Sequence, residues 1–402
     1  MQIAGIIIEY NPMHRGHRYL LEKTRARLGA DTAVIGVMSG NFVQRGDFAL
    51  LRKHARARAA VESGVDLVLE LPLPWAVSSA ERFADGGVQV LMGTGLVTDL
   101  VFGSECGDAA VLRRAAAALL DPEMDSLVRR ELTKGDSFAA ARQRALATML
   151  SSEEAALLET PNNTLGVEYC KALLRRESAI RPMSVKREGA SYHGLELEEE
   201  LPSAALVRRL LREGARQPAL ERMTEAMARV YEAEEASGRA PVFRENCERA
   251  ILARLRSMSE LDFAALDEGR EGLYRRLYEA SRAATSVDEV CLSAKTKRYA
   301  YSRISRMILW AYLGLAPADF PERVPYLRVL AANGTGRALL ARMRETAALP
   351  VLTKSADVRL LPEPAQRLLA LEARATDLYT LAYPNLIAAH GGTEWREGPV
   401  IL

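Results

Sequence analysis

Long apolar runs are missing from this sequence. No stretch approaches the ~18 consecutive apolar residues of a membrane span, so a chain threaded through a bilayer by helices is excluded. Cysteine is scarce as well. The four cysteines, at 106, 170, 247 and 291, form no CxxC pair, which argues against a zinc ribbon or disulfide framework and for reduced thiols. An excess of one charge is absent: 54 Lys and Arg stand against 52 Asp and Glu. Any nucleic-acid surface must therefore be a local patch. Met1 leads straight into an apolar run with no basic segment and no cleavage site, so no signal peptide is expected and a cytoplasmic protein is. Fixed-period repeats, heptads and low-complexity linkers are absent too. What remains is a globular composition, 49% hydrophobic and 26% charged over 402 residues. That length exceeds one ordinary core and predicts two or three domains.

The first ~120 residues alternate strand and helix signals. Strands are expected at Ile3 to Tyr10, Thr32 to Met38, Val65 to Leu71 and Leu100 to Phe102. Helices are expected at Gly16 to Leu28, Leu50 to Ser63 and Ala80 to Met92. Strand then helix, repeated, predicts an α/β fold with a parallel sheet and right-handed crossovers. Ligands then belong at the carboxyl ends of the strands. Beyond Ala109 the pattern becomes long Ala, Leu, Arg and Glu-rich helices, interrupted at Thr160-Pro161-Asn162-Asn163. An extended piece, Met183 to Arg187, precedes Gly189-Ala190-Ser191-Tyr192-His193-Gly194. Between Ser281 and Trp310 six Lys or Arg face two acids. A last strand is expected at Leu349 to Thr353.

The turn after the first strand carries the chemistry. In Tyr10-Asn11-Pro12-Met13-His14-Arg15-Gly16-His17, two histidines flank a glycine where a helix should begin. Free N–H groups and the dipole at a helix start favour an anion, and two imidazoles can donate to charge developing on a phosphoryl group. Two plain turn histidines, or half a metal site, are the competing readings; for the second, neither the first strand nor the next turn supplies a further His or Cys.

This His-x-Gly-His turn resembles the nucleotidyltransferase superfamily. The blocks Val37-Met38-Ser39-Gly40-Asn41-Phe42-Val43-Gln44-Arg45-Gly46, Gly64 to Pro72, Phe102-Gly103-Ser104-Glu105, Pro161 to Gly166, Lys186-Arg187 and Ser293 to Tyr299 are similar to the bacterial tRNA(Met) cytidine acetate ligases. Met13 departs from the phenylalanine expected in relatives, a change of packing rather than chemistry. The resemblance spans residues 3 to about 310. It implies a nucleotidyltransferase-like (Rossmann-like) domain over 1–160, a helical region over 161–320 that completes the ATP site and binds tRNA, and a small α/β region over 321–402. The implied reaction activates acetate with ATP, accompanied by Mg²⁺, as acetyl-adenylate. The acetyl group then passes to the wobble cytidine of elongator tRNA(Met). The implied ATP site comprises Ile7, Ile8, Glu9, Tyr10, Asn11, Pro12, Met13, His14, Arg15, Gly16, His17, Arg18, Tyr19 and Leu20, with Gly103, Asn162 and Arg187. His14, His17 and Arg187 are the expected catalytic groups, and no protein partner is implied.

The residues themselves bear on the same positions. Gly103 ends a strand and leaves room for a base or ribose, or is an ordinary turn glycine. Asn162 is free to bond a ligand or simply caps a helix. Arg187 is suited to β- and γ-phosphates. Ser39, Asn41, Gln44 and Arg45 follow the second strand and are read as holding acetate or the acyl-phosphate oxygens, with Asn41-Phe42 equally suited to a plain turn. Lys295, Lys297, Arg298, Tyr299 and Arg303 combine cations with aromatics, as expected for unpaired RNA. The basic helix with Arg52, Lys53, Arg56 and Arg58 is read as serving RNA or the triphosphate. Asp66 and Glu70 are read as structural charges, Glu70 partnering that helix. Gly334-Thr335-Gly336 lacks a third glycine and is read as a helix-entry turn. Two rival functions share parts of this pattern: a small-molecule adenylyltransferase of cofactor biosynthesis, and a non-catalytic RNA-binding protein.

Overall fold

The computed structural model describes residues 2–134, 137–187, 203–266 and 272–402; the glycine-bounded stretch 189–194 lies outside them. Among the described residues ten strands are formed: β1 Ile3–Ile8, β2 Ala33–Ser39, β3 Phe42–Val43, β4 Asp47–Phe48, β5 Leu67–Leu71, β6 Asp99–Ser104, β7 Arg181–Lys186, β8 Leu327–Ala332, β9 Val351–Leu352 and β10 Val400–Ile401. Eight of them make one sheet in the order β10-β8-β5-β2-β1-β6-β7, with β9 beside β8. Five adjacent strands, β5, β2, β1, β6 and β7, run parallel, as strand–helix alternation predicts. β8 pairs antiparallel with β5, an edge addition familiar in otherwise parallel sheets.

The strands read as continuous apolar runs because both faces are covered. Ala33, Ile35 and Val37 of β2 enter one core, with Phe83, Val88 and Leu112. Val34 and Met38, pointing the other way, enter a second core with Leu21 and Ala57. Period-2 alternation thus sorts one apolar strand into two cores. Helices Arg15–Leu28 and Lys53–Glu62 lie on the second side, and Ala80–Gly93 and Pro161–Arg175 on the first. In Ala80–Gly93 two successive glycines let the helix approach closely. A Cβ on Gly86 would lie 2.4 Å from Trp75 Cδ1, and one on Gly87 2.4 Å from Ile7 Cδ1.

β1 leads to β2 and β5 on one side, while β6 and β7 continue on the other. The order in which strands are added therefore reverses between β1 and β6, the switch point at whose carboxyl ends such sheets bind ligands. Segment 321–402 contributes β8, β9 and β10 to the sheet and the long helix Glu363–Thr380. The Gly334-Thr335-Gly336 turn begins helix Gly334–Thr346, capped by the Asn333 side chain. A Cβ on Gly336 would sit 2.0 Å from the Asp66 carbonyl oxygen, so this glycine serves helix–strand packing. Among the described residues no helix is long and apolar enough to cross a membrane.

Candidate active site at the carboxyl ends of the parallel strands

The turn from β1 into helix Arg15–Leu28 is held from several sides. Tyr10 has φ of 46°, a left-handed conformation that costs a non-glycine residue about 1–3 kcal/mol. Its ring packs on His17 with centroids 4.8 Å apart. Asn11 Oδ1 accepts the Leu50 N–H at 2.7 Å and Arg208 Nη1 at 3.1 Å. Met13 is fully buried and its carbonyl accepts the Thr224 N–H, consistent with a packing role at that position.

His14 and His17 cap the helix reciprocally. The Gly16 N–H donates to His14 Nδ1 at 3.1 Å, and the His14 N–H donates to His17 Nδ1 at 3.2 Å. The rings stack 3.7 Å apart. A Cβ on Gly16 would meet His14 Cε1 at 3.0 Å, so the glycine leaves space for this fold-back. Because each Nδ1 accepts, each neutral ring carries its proton on Nε2. Burial, with the Arg187 guanidinium adding to it, lowers His14 to about 3. Burial, then His14 and Arg187, holds His17 well below its ordinary value. The pair is a set of neutral Nε2–H donors at a helix N-terminus.

Arg187 follows β7 and is exposed. Its N–H donates to Ser104 O at 2.9 Å, and a Cβ on Gly103 would lie 3.3 Å from Arg187 Cγ. Gly103 is thus the gap over which the arginine lies. Asn162, near the start of helix Pro161–Arg175, donates from Nδ2 to Glu105 Oε1 at 2.8 Å, and the Asn163 N–H donates to Glu105 Oε2 at 2.7 Å. Burial raises the Glu105 carboxyl, but these hydrogen bonds prevail and keep it below its ordinary value. The fold therefore gathers His14, His17, Gly103, Asn162 and Arg187 at one end of the sheet. Along Ile7 to Leu20, Ile8 is core, while Arg15 and Arg18 are exposed, Arg18 pairing with Glu22 at 2.9 Å.

The expected acetate group divides. Gln44 is partly exposed; its N–H donates to Glu9 Oε1 at 2.7 Å and its Nε2 to Ser78 O at 3.1 Å. Arg45 is exposed beside it. Ser39 and Asn41, read as acetate ligands, are instead inside the protein. Asn41 Oδ1 accepts the Lys53 N–H at 2.8 Å and its Nδ2 donates to Thr376 at 3.1 Å, which commits both ends of the amide. The block forms the β3–β4 hairpin rather than a bare turn.

The basic helix is corrected more fully. Of the four cations read as serving RNA or phosphate, Lys53 and Arg56 are buried, Arg52 is half-buried and pairs with Glu234 and Glu397, and Arg58 stays exposed, paired with Glu62 at 2.8 Å. Lys53 Nζ donates to Glu70 at 2.7 Å and also to Glu394, the partnership expected of Glu70. Arg56 donates to the carbonyls of Glu9, Ser39, Gly40 and Leu51, satisfying chain ends after β1 and β2. Arg208, which the sequence did not single out, bridges Asn11 to Asp47 at 2.7 Å.

Lys295, Lys297 and Arg298 are exposed between helices Val287–Ala294 and Tyr301–Leu313. Tyr299, expected to stack on a base, is 6% exposed. The Arg298 and Arg303 guanidinium carbons lie 5.9 and 5.5 Å from its ring centroid, so the protein's own cations cover it.

Comparison with known proteins bears on the family and the fold. A family model described as HIGH Nucleotidyl Transferase matches residues 1–394. The tRNA(Met) cytidine acetate ligase of Fervidobacterium nodosum is 35% identical over 98% of each chain, and that of Caldanaerobacter subterraneus 37% over 96% of each. The crystal structure of Thermotoga maritima TmcAL bound with alpha-thio ATP superposes with a TM-score of 0.93 at 34% identity, covering 100% of both chains. Its apo form gives 0.95. This chain belongs to the HIGH nucleotidyltransferases and, among them, to the tRNA(Met) cytidine acetate ligase family.

Proposed function

We propose that this chain is an ATP-dependent ligase that acetylates the wobble cytidine of elongator tRNA(Met), with free acetate as the donor. The observation that carries this reading is the pair of neutral imidazoles at a helix start, with Arg187 beside them. The names of the relatives and the ATP analogue in the Thermotoga structure support it.

In the first step an acetate oxygen attacks the α-phosphorus of ATP and pyrophosphate leaves. The nucleophile is already an anion, so positioning and charge stabilisation carry the rate. The Nε2–H groups of His14 and His17 donate to the phosphate oxygens, and Arg187 neutralises the departing pyrophosphate. Gly103 and Asn162 border the nucleoside, and Gln44 and Arg45 the acetate. Among the described residues no group of three or more His, Cys, Asp or Glu is arranged to hold a metal ion. Mg²⁺ would therefore ride on the phosphate oxygens it favours, supplying further neutralisation. In the second step the cytidine amine takes the acetyl group and AMP leaves. Lys295, Lys297 and Arg298 approach RNA phosphates.

The test is incubation with ATP, labelled acetate and elongator tRNA(Met) transcript. Label is expected in N4-acetylcytidine after digestion of the RNA. Pyrophosphate release with a phosphorylated metabolite instead would favour a small-molecule adenylyltransferase. His14→Ala and His17→Ala should each lower adenylate formation by about 10²–10³-fold while tRNA binding persists.

A further inference from the structure

The turn after β1, within the implied ATP site, carries a carboxylate that adenylation does not need as a base. Glu9 follows the last residue of β1 and is partly exposed. Its Oε1 accepts the Gln44 N–H at 2.7 Å; among the described residues Oε2 accepts no hydrogen bond. The position of this group is what distinguishes it. On one side its chain neighbour Tyr10 lies against His17, where the phosphates belong. On the other it anchors the β3–β4 hairpin, where Gln44 and Arg45 face the acyl group. Arg56 from helix Lys53–Glu62, Arg45 from the hairpin and Arg208 from helix Ala204–Arg212 act on its charge, and it acts in turn on Tyr169 from helix Pro161–Arg175. Burial raises its pKa above the ordinary carboxylate value against the pull of the three guanidiniums. A raised pKa makes a stronger proton acceptor.

The acyl transfer needs such an acceptor. The exocyclic amine of a cytosine is neutral and weakly basic, and it must lose a proton as its bond to carbon forms. We propose that Glu9 is the base of the acyl-transfer step, standing between the phosphate and acyl sides to take the proton of the attacking amine. This rests on the acetyl-adenylate reading above. The nitrogen lone pair forms the C–N bond. The bond between the acetyl carbon and the AMP phosphate oxygen breaks, and its electron pair leaves with AMP. The proton passes from nitrogen to the Glu9 carboxylate.

The experiment supplies acetyl-adenylate directly to the full-length protein with tRNA(Met) transcript and follows acetylcytidine, so adenylation is bypassed. Glu9→Gln keeps an acceptor for the Gln44 N–H but cannot take the proton. It should slow transfer by about a hundredfold or more, at least tenfold beyond any loss in acetate-dependent adenylate formation. The acidic limb of the wild-type pH profile should disappear with it. In Glu9→Ala, formate should restore transfer in proportion to its concentration, which a purely structural role for the carboxylate would not allow. Equal losses in both steps, an unchanged pH profile, or no formate response would overturn the assignment. If the wild-type protein itself transfers no acetyl group from acetyl-adenylate, the function proposed above fails instead.

Discussion

Each Nδ1 of the His14–His17 pair is occupied by a backbone N–H, so protonating either ring would break a helix cap and charge a buried group together. This has a consequence for stability. The folded-state pKa of His14 lies at about 3 against an ordinary 6.5, so the unfolded chain binds protons that the folded chain refuses. The stabilisation is full above pH 6.5 and is lost as pH falls toward 3. The slope per histidine is at most ~1.4 kcal/mol per pH unit. His14→Asn retains a capping oxygen and does not titrate. Urea unfolding of this variant between pH 6.5 and 5 should therefore be flatter than wild type by up to one proton, and an unchanged slope would refute the assignment. At this scale the sequence was informative where chemistry is local. His14, Gly16 and His17 lie within four positions and cap one another. Asn41 was misread because its partner Thr376 is 335 residues away. Tyr299 was misread because local charge does not tell whether an aromatic ring faces solvent.

The β3–β4 hairpin is the element that the sequence hid, since two-residue strands carry no periodicity. Its signal is Gly46, with φ of 77°. A Cβ there would lie 2.4 Å from the Arg306 backbone nitrogen, and the Gly46 carbonyl accepts from Ser305 Oγ at 2.8 Å. Gly46→Ala should therefore destabilise the protein by at least ~1–3 kcal/mol and, by moving Gln44 and Arg45, raise the KM for acetate more than that for ATP. Thermal unfolding together with two-substrate kinetics checks both parts; equal KM values in variant and wild type would detach the hairpin from the acyl site. The exposed linker between helices Val287–Ala294 and Tyr301–Leu313 makes a separate prediction. Replacing Lys295, Lys297 and Arg298 by alanine should weaken tRNA binding and reduce the slope of log K against log salt by about one for each RNA phosphate no longer neutralised. A Tyr299→Ala change should instead act mainly through stability, because the ring is buried.

The parallel half of the molecule was legible because each strand and helix signal is contiguous: β1, β2, β5 and β6 fall within two or three residues of their expected positions. What could not be read was how segment 321–402 closes on the rest, since that rests on buried charges whose partners are hundreds of residues apart. Lys53 and Arg328 meet Glu70 and Glu394, with Glu372 nearby accepting the Leu73 N–H. Both cations are taken by Glu70 and Glu394, and among the described residues Glu372 has no ion-pair partner of its own in this dry interior. Burial, reinforced by Glu70, pushes the Glu372 carboxyl up from 4.5 to about 8, against the pull of Lys53. The neutral acid leaves no unpaired charge there. The sign follows from proton uptake. Between about 4.5 and about 8 the folded state holds a proton that the unfolded state has released, so stability falls as pH rises through that window. The histidine pair acts in the opposite direction up to its ordinary value of 6.5, so the two effects oppose each other from about 4.5 to 6.5, and above 6.5 the loss at Glu372 stands alone. Glu372→Gln keeps an oxygen for the Leu73 N–H and removes the ionisation. Its melting temperature should exceed that of wild type at pH 8, with the advantage shrinking as the pH approaches 5. An advantage independent of pH would mean that Glu372 stays ionised and that the clamp between the sheet and segment 321–402 tolerates the extra charge.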